Sequence, residues 1–352
     1  MTPTRHVFDV DSLTPAELEA VLALAEVDPA TLTRSLTGQG VAMVFEKPSA
    51  RTRNSTEMAV VALGGHPVYI QGPEVGLDVR ETAEDVARTL ACYHAVVCAR
   101  VMDHRSLTRM AAALDAADVP VPVVNLLSDV AHPCQALADL LTLRQEFGPS
   151  LKGRSVAYIG DANNVWLSVA LAGAMVGLTV NVAAPKGYGP SDAELERIRA
   201  LGGTGLVTED PAEAAAGVDA VYTDVWTSMG QEDEVAVRLQ AFAGFTVDEA
   251  LMKQAAPDAI VMHCLPAHRG EEISADVVDG PQSRIWSQAA NRMHAMRGLL
   301  AWLTHAAPGH QVQPGHQVQP GQPKQPGQPT QPGQPKQPAQ TGDHHDPIGG
   351  AT

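Results

Sequence analysis

Aromatic side chains are scarce, 4% of 352 residues, so stacking platforms for single-stranded nucleic acid are in short supply. Positive charge is scarce as well. Lys and Arg total 24 against 40 Asp and Glu, a formal net charge of −16. That balance excludes a whole-protein basic footprint for nucleic acid and a polybasic membrane anchor. An anionic ligand would need a local cluster of arginines. There are four cysteines, Cys92, Cys98, Cys134 and Cys264, and no C-x-x-C spacing. The spacing argues against a disulfide framework or a zinc ribbon and for reduced, cytoplasmic thiols. No apolar run reaches about 18 residues, so no transmembrane helix is expected. The opening MTPTRHVFDVDSLTP lacks the apolar stretch of a secretory signal.

Hydrophobic residues make up 45% of the chain, enough at this length for two cores of ordinary size. The composition changes at Pro308. From there to Thr352 the hexad HQVQPG occurs twice and Q-P-x triplets follow. Such a segment cannot bury apolar surface, and a disordered, polyproline-like tail over 308–352 without catalytic role is expected. Its charges cancel, Lys324 and Lys336 against Asp343 and Asp346, so the acidic excess belongs to residues 1–307.

Residues 1–307 alternate short β-branched runs with amphipathic stretches. Strands are predicted at Val41–Phe45, Val68–Ile70, Ala95–Cys98 and Val121–Val124. A second set is predicted at Ser155–Ile159, Thr179–Ala183, Ala220–Thr223 and Ala259–His263. Helices are predicted at Glu81–Cys92, Pro133–Phe147 and Ser191–Leu201. The alternation argues for an α/β protein of two doubly wound parallel-sheet domains. The helix Pro133–Phe147 reads as the hinge between them. The Leu-rich stretch Ile285–Leu303 is long enough to cross back over the first domain. Ligands of open α/β sheets bind beyond the carboxyl ends of the strands. The loops to search therefore follow Phe45, Cys98, Val124, Ile159, Thr223 and His263.

The first loop reads EKPSARTRNSTEM. Ser49 is a good N-cap for a helix from Ala50. A helix tip offers free N–H groups and positive dipole charge; Ser49 and Thr52 add hydroxyls, Arg51 and Arg53 add cations. The result is a phosphate cradle without a glycine loop. This FEKPSARTR segment resembles the S-T-R-T-R motif of the aspartate/ornithine carbamoyltransferases. Three further motifs follow in order: His132-Pro133-Cys134-Gln135 resembles H-P-x-Q, DVWTSMGQE at 224–232 resembles the ornithine-type S-M-G loop, and HCLPAHRGEEI at 263–273 resembles the ornithine-type H-C-L-P. Together they cover essentially all of residues 1–307 and identify the chain with the ornithine branch of that family.

The resemblance implies transfer of a carbamoyl group from carbamoyl phosphate to the δ-amine of L-ornithine, giving L-citrulline, as in arginine biosynthesis. The chemistry is direct attack through a tetrahedral intermediate, needing no protein nucleophile, metal or organic cofactor. It implies a carbamoyl-phosphate domain over 1–136 completed by the helix 285–307, and an ornithine domain over 137–284. Ser49, Ala50, Arg51 and Thr52 would hold phosphate. Arg100 would reach phosphate and carbonyl, and His132 would donate to the carbonyl oxygen. Gln135 would bind the carbamoyl nitrogen, Cys264 and Leu265 would contact the carbamoyl group, and Arg292 would complete the site. Asn164, Asp224, Ser228, Met229 and Cys264 would surround ornithine, with Asp224 on its α-ammonium. The Leu265–Pro266 bond is expected to be cis. A homotrimer, or a multiple of trimers, is the implied assembly.

Two departures stand out. Ala50 replaces a threonine of the motif and loses a hydroxyl. Gly76 lies where the family carries Gln or His toward a neighbouring subunit's phosphate; Glu74 or Asp78 there would repel phosphate, and Arg80 could substitute. Other readings stay open. His263, Cys264 and His268 could be metal ligands, though the usual four-ligand spacing is missing. Cys264 could be a covalent nucleophile, though it would need a dedicated base. The acceptor could be an acylated ornithine, lysine or putrescine. The fold could also serve as a non-catalytic binding subunit.

Overall fold

The structure, a computed structural model, describes residues 4–227 and 232–306. The predicted tail over 308–352 and the predicted ornithine contacts Ser228 and Met229 lie outside the described residues. The described residues form an α/β body with two parallel sheets. The first has four strands: β1 (Gly40–Phe45), β2 (His66–Gln71), β3 (His94–Arg100) and β4 (Val123–Leu127), in the order β2-β1-β3-β4. The second has five: β5 (Ser155–Ile159), β6 (Thr179–Ala183), β7 (Val207–Thr208), β8 (Ala220–Thr223) and β9 (Ile260–His263), in the order β7-β6-β5-β8-β9. Every pairing is parallel. Parallel strands need crossovers, and helices supply them on both faces.

The strands follow the predicted set with two corrections. β4 begins at Val123, not Val121, and runs on to Leu127. Pro120 and Pro122 have no N–H to give a ladder, so the strand starts beyond them. Arg100, expected just after β3, is its last residue. The two-residue edge strand β7 was not predicted. The outer edge of β4 is covered by the N-terminal segment: Val7 N–H donates to Val123 O at 2.9 Å, and Asn125 N–H to Val7 O at 2.8 Å. That blunts an edge otherwise open to pairing.

Alternate side chains face opposite ways along each strand. Val41, Met43 and Phe45 enter one cluster with Cys98, Leu126 and, from the second sheet, Tyr158 and Tyr222. Ala42, Val44, Val97 and Ala99 enter another beneath the first sheet. The shared cluster is bridged by the helices Pro133–Phe147, Asn164–Val176 and Ile285–Ala306. The last of these packs on the helices Pro15–Glu26, Ala50–Ala62 and Pro133–Phe147. Its closest approach is at Gly298, where a Cβ would stand 2.5 Å from Val21 O and 2.7 Å from Ala25 N. Only hydrogen fits in that crossing.

Each sheet has one place where the strand order reverses. In the first it lies between β1 and β3, ending at Phe45 and Arg100; in the second between β5 and β8, ending at Ile159 and Thr223. Ligand crevices form at such points, and the motif-bearing loops leave from them.

Candidate active site

Ser49 is extended (φ −157°), and its Oγ accepts the N–H of Thr52 at 3.2 Å, capping the helix Ala50–Ala62. The N–H groups of the first turn stay aimed outward with the positive dipole end. Ala50 is exposed; its N–H remains available although the motif's hydroxyl is gone. Arg51 is exposed and forms no ion pair among the described residues. Arg53 is committed elsewhere: it pairs with Glu57 at 2.8 Å and stacks over Tyr69 at 3.8 Å. Of the two arginines predicted for the cradle, only Arg51 stays with the tip.

Behind that tip lies a buried cationic cluster. Arg292 donates through Nη2 to Thr52 Oγ1 at 2.9 Å and through Nη1 to Gln135 Oε1. The same Nη1 lies 3.3 Å from His132 Nε2. Arg100 reaches Thr52 Oγ1 at 3.5 Å. Arg100, His132 and Arg292 are each 5% exposed. Burial, then Arg292 and Arg51, lower the Arg100 pKa to about 10. Arg292 is also lowered, by burial. The cluster therefore holds mutually repelling cations out of water, an arrangement that an anion would stabilise. Three buried donors have no partner: Arg100 Nε, Arg292 Nε and His132 Nδ1.

His132 precedes Pro133, which occupies the first position of the helix Pro133–Phe147. Burial, then Arg292, Arg100 and Arg51, push its pKa well below 6.5. The ring is neutral. Arg292 can only donate, so Nε2 accepts, and the hydrogen sits on the unpartnered Nδ1. The His132 N–H donates to Ser168 Oγ at 2.9 Å, and that hydroxyl donates to Asp9 Oδ1 at 2.7 Å. Arg197 donates to the other Asp9 oxygen at 3.0 Å. His132 is thus tied by its backbone to a polar chain of Ser168, Asp9 and Arg197.

Gln135 is held from its far side by Asp139, one helical turn on. Gln135 Nε2 donates to Asp139 Oδ1 at 2.8 Å. Gln288 Nε2 donates to the same oxygen at 2.7 Å, and Tyr222 OH to Oδ2 at 3.2 Å. Burial raises the Asp139 pKa to about 7 against those three hydrogen bonds. Sequence reasoning missed this residue. Its one signal was an acidic side chain four positions after Gln135 on a helix without another charge until Arg144.

The second sheet supplies the facing wall. Asp224 follows β8 and accepts from Val225 N–H at 2.8 Å, Asn163 Nδ2 at 3.1 Å and Cys264 Sγ at 2.8 Å. Asn163 also caps the helix Asn164–Val176 and accepts from Tyr158 OH at 3.3 Å. It is Asn163 that touches Asp224; Asn164 Nδ2 turns to Ser128 O at 2.7 Å. Burial and the Asp224 charge drive the Cys264 thiol well above 9.0. Its S–H is held by Asp224, and the upward shift weighs against the nucleophile reading. Tyr222, on the strand that leads to Asp224, donates to Asp139, which holds Gln135 against Arg292, so hydrogen bonds link the two walls.

The H-C-L-P turn is fixed from within. Leu265 is left-handed (φ 62°) and the Leu265–Pro266 bond is cis. Leu265 N–H donates to His263 Nδ1 at 2.8 Å, so the opposite nitrogen carries the hydrogen and donates to Glu272 Oε1 at 3.0 Å. With both ring nitrogens engaged, His263 is a structural residue and not a free metal ligand. His268 turns to Glu271 at 3.5 Å, away from Asp224. The loop at Gly76 also resolves. Gly76 is left-handed (φ 58°) and ends the short helix Gly72–Val75. Asp78 is neutralised by Arg109 at 2.8 Å, and Arg80 donates to Glu74 O at 3.1 Å. A cavity of about 610 Å³ opens at the amino ends of β5, β8 and β9, lined by Arg154, Asp219 and Arg284, on the side of the sheet away from these groups.

Comparison with known proteins bears on this geometry. Residues 5–145 match the family model described as the aspartate/ornithine carbamoyltransferase carbamoyl-P binding domain, and residues 152–303 match its Asp/Orn binding domain. An ornithine carbamoyltransferase of Acidothermus cellulolyticus is 50% identical over 88% of this chain and 99% of its own length. A crystal structure of ornithine carbamoyltransferase from Thermus thermophilus superposes with a TM-score of 0.75 at 43% identity, covering 86% of this chain and 100% of that one. The enzyme from Pyrococcus furiosus gives a TM-score of 0.80 at 41% identity, with 86% and 98% covered.

Proposed function

The chain belongs to the aspartate/ornithine carbamoyltransferase family, and we propose from its site how it runs the ornithine carbamoyltransferase reaction. The enzyme transfers the carbamoyl group of carbamoyl phosphate to the δ-amine of L-ornithine, giving L-citrulline and phosphate. Residues 1–136 with the C-terminal helix hold carbamoyl phosphate, and residues 137–284 hold ornithine.

The phosphate sits on the tip of the helix Ala50–Ala62, gripped by its N–H groups, Ser49, Arg51 and Thr52. The carbonyl oxygen points at His132 Nδ1–H and the Arg100 guanidinium, and the carbamoyl –NH2 donates to Gln135 Oε1. Asp224 takes the α-ammonium of ornithine and Asn164 its carboxylate side. Asp224 already gathers three donors, and an ammonium suits that carboxylate by charge. The neutral δ-amine attacks the carbonyl carbon, and charge develops on the oxygen facing His132 and Arg100. The C–O bond to phosphate then breaks. Phosphate leaves with the electron pair, and the amine's extra proton passes to it. Preorganised donors at the developing oxyanion are the main source of acceleration in such a step.

The observation that carries this reading is that Arg100 and Arg292 meet at Thr52 Oγ1 while each keeps an unpartnered buried Nε, as the neighbouring His132 keeps an unpartnered Nδ1. A citrulline assay with purified protein and ornithine, N-acetylornithine, lysine and putrescine tests it. Activity on ornithine alone is the expected result; no product with any of the four would sink it. Among the described residues no helix is long and apolar enough to cross a membrane. Four free thiols support a reducing, cytoplasmic setting. Exposed Met58 and Val61 on the phosphate-gripping helix, with Val79, support a homotrimer, for which light scattering should return the mass of three chains.

A further inference from the structure

Gln135 stands between two groups of opposite hydrogen-bonding character. Arg292 has only donors, and it meets Oε1. Asp139, as a carboxylate, has only acceptors, and it meets Nε2 at 2.8 Å. Turning the amide over would set donor against donor and acceptor against acceptor, in a place where Gln135 and Asp139 are each 1% exposed. We propose that Asp139 is a positioning residue that fixes the sense of the Gln135 amide, so that a carbonyl oxygen and never an –NH2 faces the transferred group. The proposal rests on the carbamoyl-transfer reading and extends it to a choice between acyl phosphates. A carbamoyl group offers N–H to that oxygen. An acetyl group of the same shape offers only methyl, and would leave a buried acceptor unpaired.

The rest of the Asp139 environment fits the same task. Gln288 donates Nε2 to Asp139 Oδ1, and its Oε1 accepts the N–H of His263 at 2.8 Å. That amide too can point only one way, and it sets the start of the turn carrying Cys264 and Leu265. Tyr222, on the strand leading to Asp224, donates to Oδ2. One carboxylate thus references the carbamoyl side, the H-C-L-P turn and the ornithine strand to a common point. An asparagine at 139 could keep its one oxygen on both amides and turn its –NH2 to the oxygen of the Tyr222 hydroxyl, so it would preserve the orientation, whereas a leucine there offers Gln135 no acceptor. A proton taken up by Asp139 would go to Oδ2, opposite a hydroxyl able to turn round. Oδ1 would still accept from both amides, so the orientation of Gln135 survives titration.

The test is a set of variants read by citrulline formation and by inhibition with inorganic phosphate. Asp139→Leu, which removes the acceptor, should lower kcat/KM for carbamoyl phosphate about 10- to 100-fold, the size expected when a contacting group is misplaced by about 1 Å, and Asp139→Asn, which keeps one oxygen on both amides, should restore most of it. The phosphate inhibition constant of Asp139→Leu should stay at the wild-type value, because phosphate rests on the tip at Ser49–Thr52. Adding Asp139→Leu to Gln135→Ala should cost little more than Gln135→Ala alone, since one acts through the other. A second arm is Gln135→Glu, which sets two carboxylates together and should be nearly inactive. Wild-type-like kcat/KM in Asp139→Leu, a parallel loss of phosphate binding, additivity with Gln135→Ala, or an Asp139→Asn variant as impaired as Asp139→Leu would each overturn the proposal. If wild-type protein makes no citrulline, the functional reading itself has failed, and that outcome is separate from these.

Discussion

His132 offers the sharpest check on the chemistry, because the structure assigns it one hydrogen at one atom. Its Nε2 lies 3.3 Å from Arg292 Nη1 and must accept. Its pKa is pushed well below 6.5 by burial and three arginines, so the ring is a neutral donor through Nδ1. In the role proposed for it, His132 would stabilise an oxyanion and transfer no proton. Removing one such donor costs about 2.7–4 kcal/mol, or about 100- to 1,000-fold in kcat. His132→Ala should fall in that range at saturating substrates. Asparagine places its amide nitrogen where Nδ1 stood, one bond from Cγ, so His132→Asn should recover about tenfold or more over alanine. Glutamine reaches the Nε2 position instead and should not recover. Initial rates of citrulline formation decide the order. Alanine within about tenfold of wild type would remove His132 from the transition state. Glutamine outperforming asparagine would mean that the other ring nitrogen does the work. The stability sign follows from the same shift. The fold holds His132 neutral while the unfolded chain protonates below 6.5, so this group costs stability as pH falls through 6.5.

Three further outcomes are expected. Arg51 is exposed and without an ion-pair partner among the described residues, so Arg51→Ala should leave the melting temperature unchanged while raising KM for carbamoyl phosphate. Loss of one charge-assisted contact, about 1.5–3 kcal/mol, implies about a 10- to 150-fold effect; an unchanged KM would misplace the phosphate cradle. Gly298→Ala would drive a Cβ into Val21 O and Ala25 N at 2.5 and 2.7 Å. Overpacking of about 1–3 kcal/mol should outweigh the propensity gain of about 1 kcal/mol, and a calorimetric melting temperature at or above wild type would refute the tight crossing. Asp9 is raised from 3.8 to about 6, chiefly by burial. The folded state therefore holds a proton that the unfolded chain releases, and rising pH costs stability between 3.8 and about 6, by about 3 kcal/mol in all. Urea midpoints of wild type and Asp9→Asn at pH 4.5 and 7 should diverge with that sign; equal pH dependence would show that Asp9 is not buried as a carboxylate.

The strand ends that build the site were readable because parallel strands buried on both faces are continuous β-branched runs, and VAMVF and SVAYI are such runs. The loops after them could then be searched. β4 slipped because the eye starts a strand at Val121, whereas Pro122 denies the ladder a donor and moves the first paired residue to Val123. β7 has only Val207 and Thr208, too few for any alternation to register. Arg53 looked equivalent to Arg51 in sequence. Tyr69, which takes it away, comes from the next strand, and nothing local announces that contact. Asp139 was hidden for a different reason. Residues 133–144 are buried without a break, so the helix has no solvent face, and a polar residue on it reads by periodicity as exposed when it is not.

That hidden carboxylate also answers how an acidic chain keeps a cationic site active. With a formal charge of −16, carboxylates are plentiful, and one in contact with Arg292 would neutralise the pull on phosphate. No ion pair joins Arg100 or Arg292 to a carboxylate among the described residues. One buried carboxylate, Asp139, is held off by the length of the Gln135 amide, which takes a bond from the arginine on one side and gives one to the carboxylate on the other. The amide passes orientation between them without letting the charges meet. Glu57 and Asp78 are likewise taken up by Arg53 and Arg109 at the margin of the tip. The local positive potential therefore depends as much on where carboxylates are tethered as on where arginines stand, and the excess of acid over base in the composition says nothing against an anionic substrate.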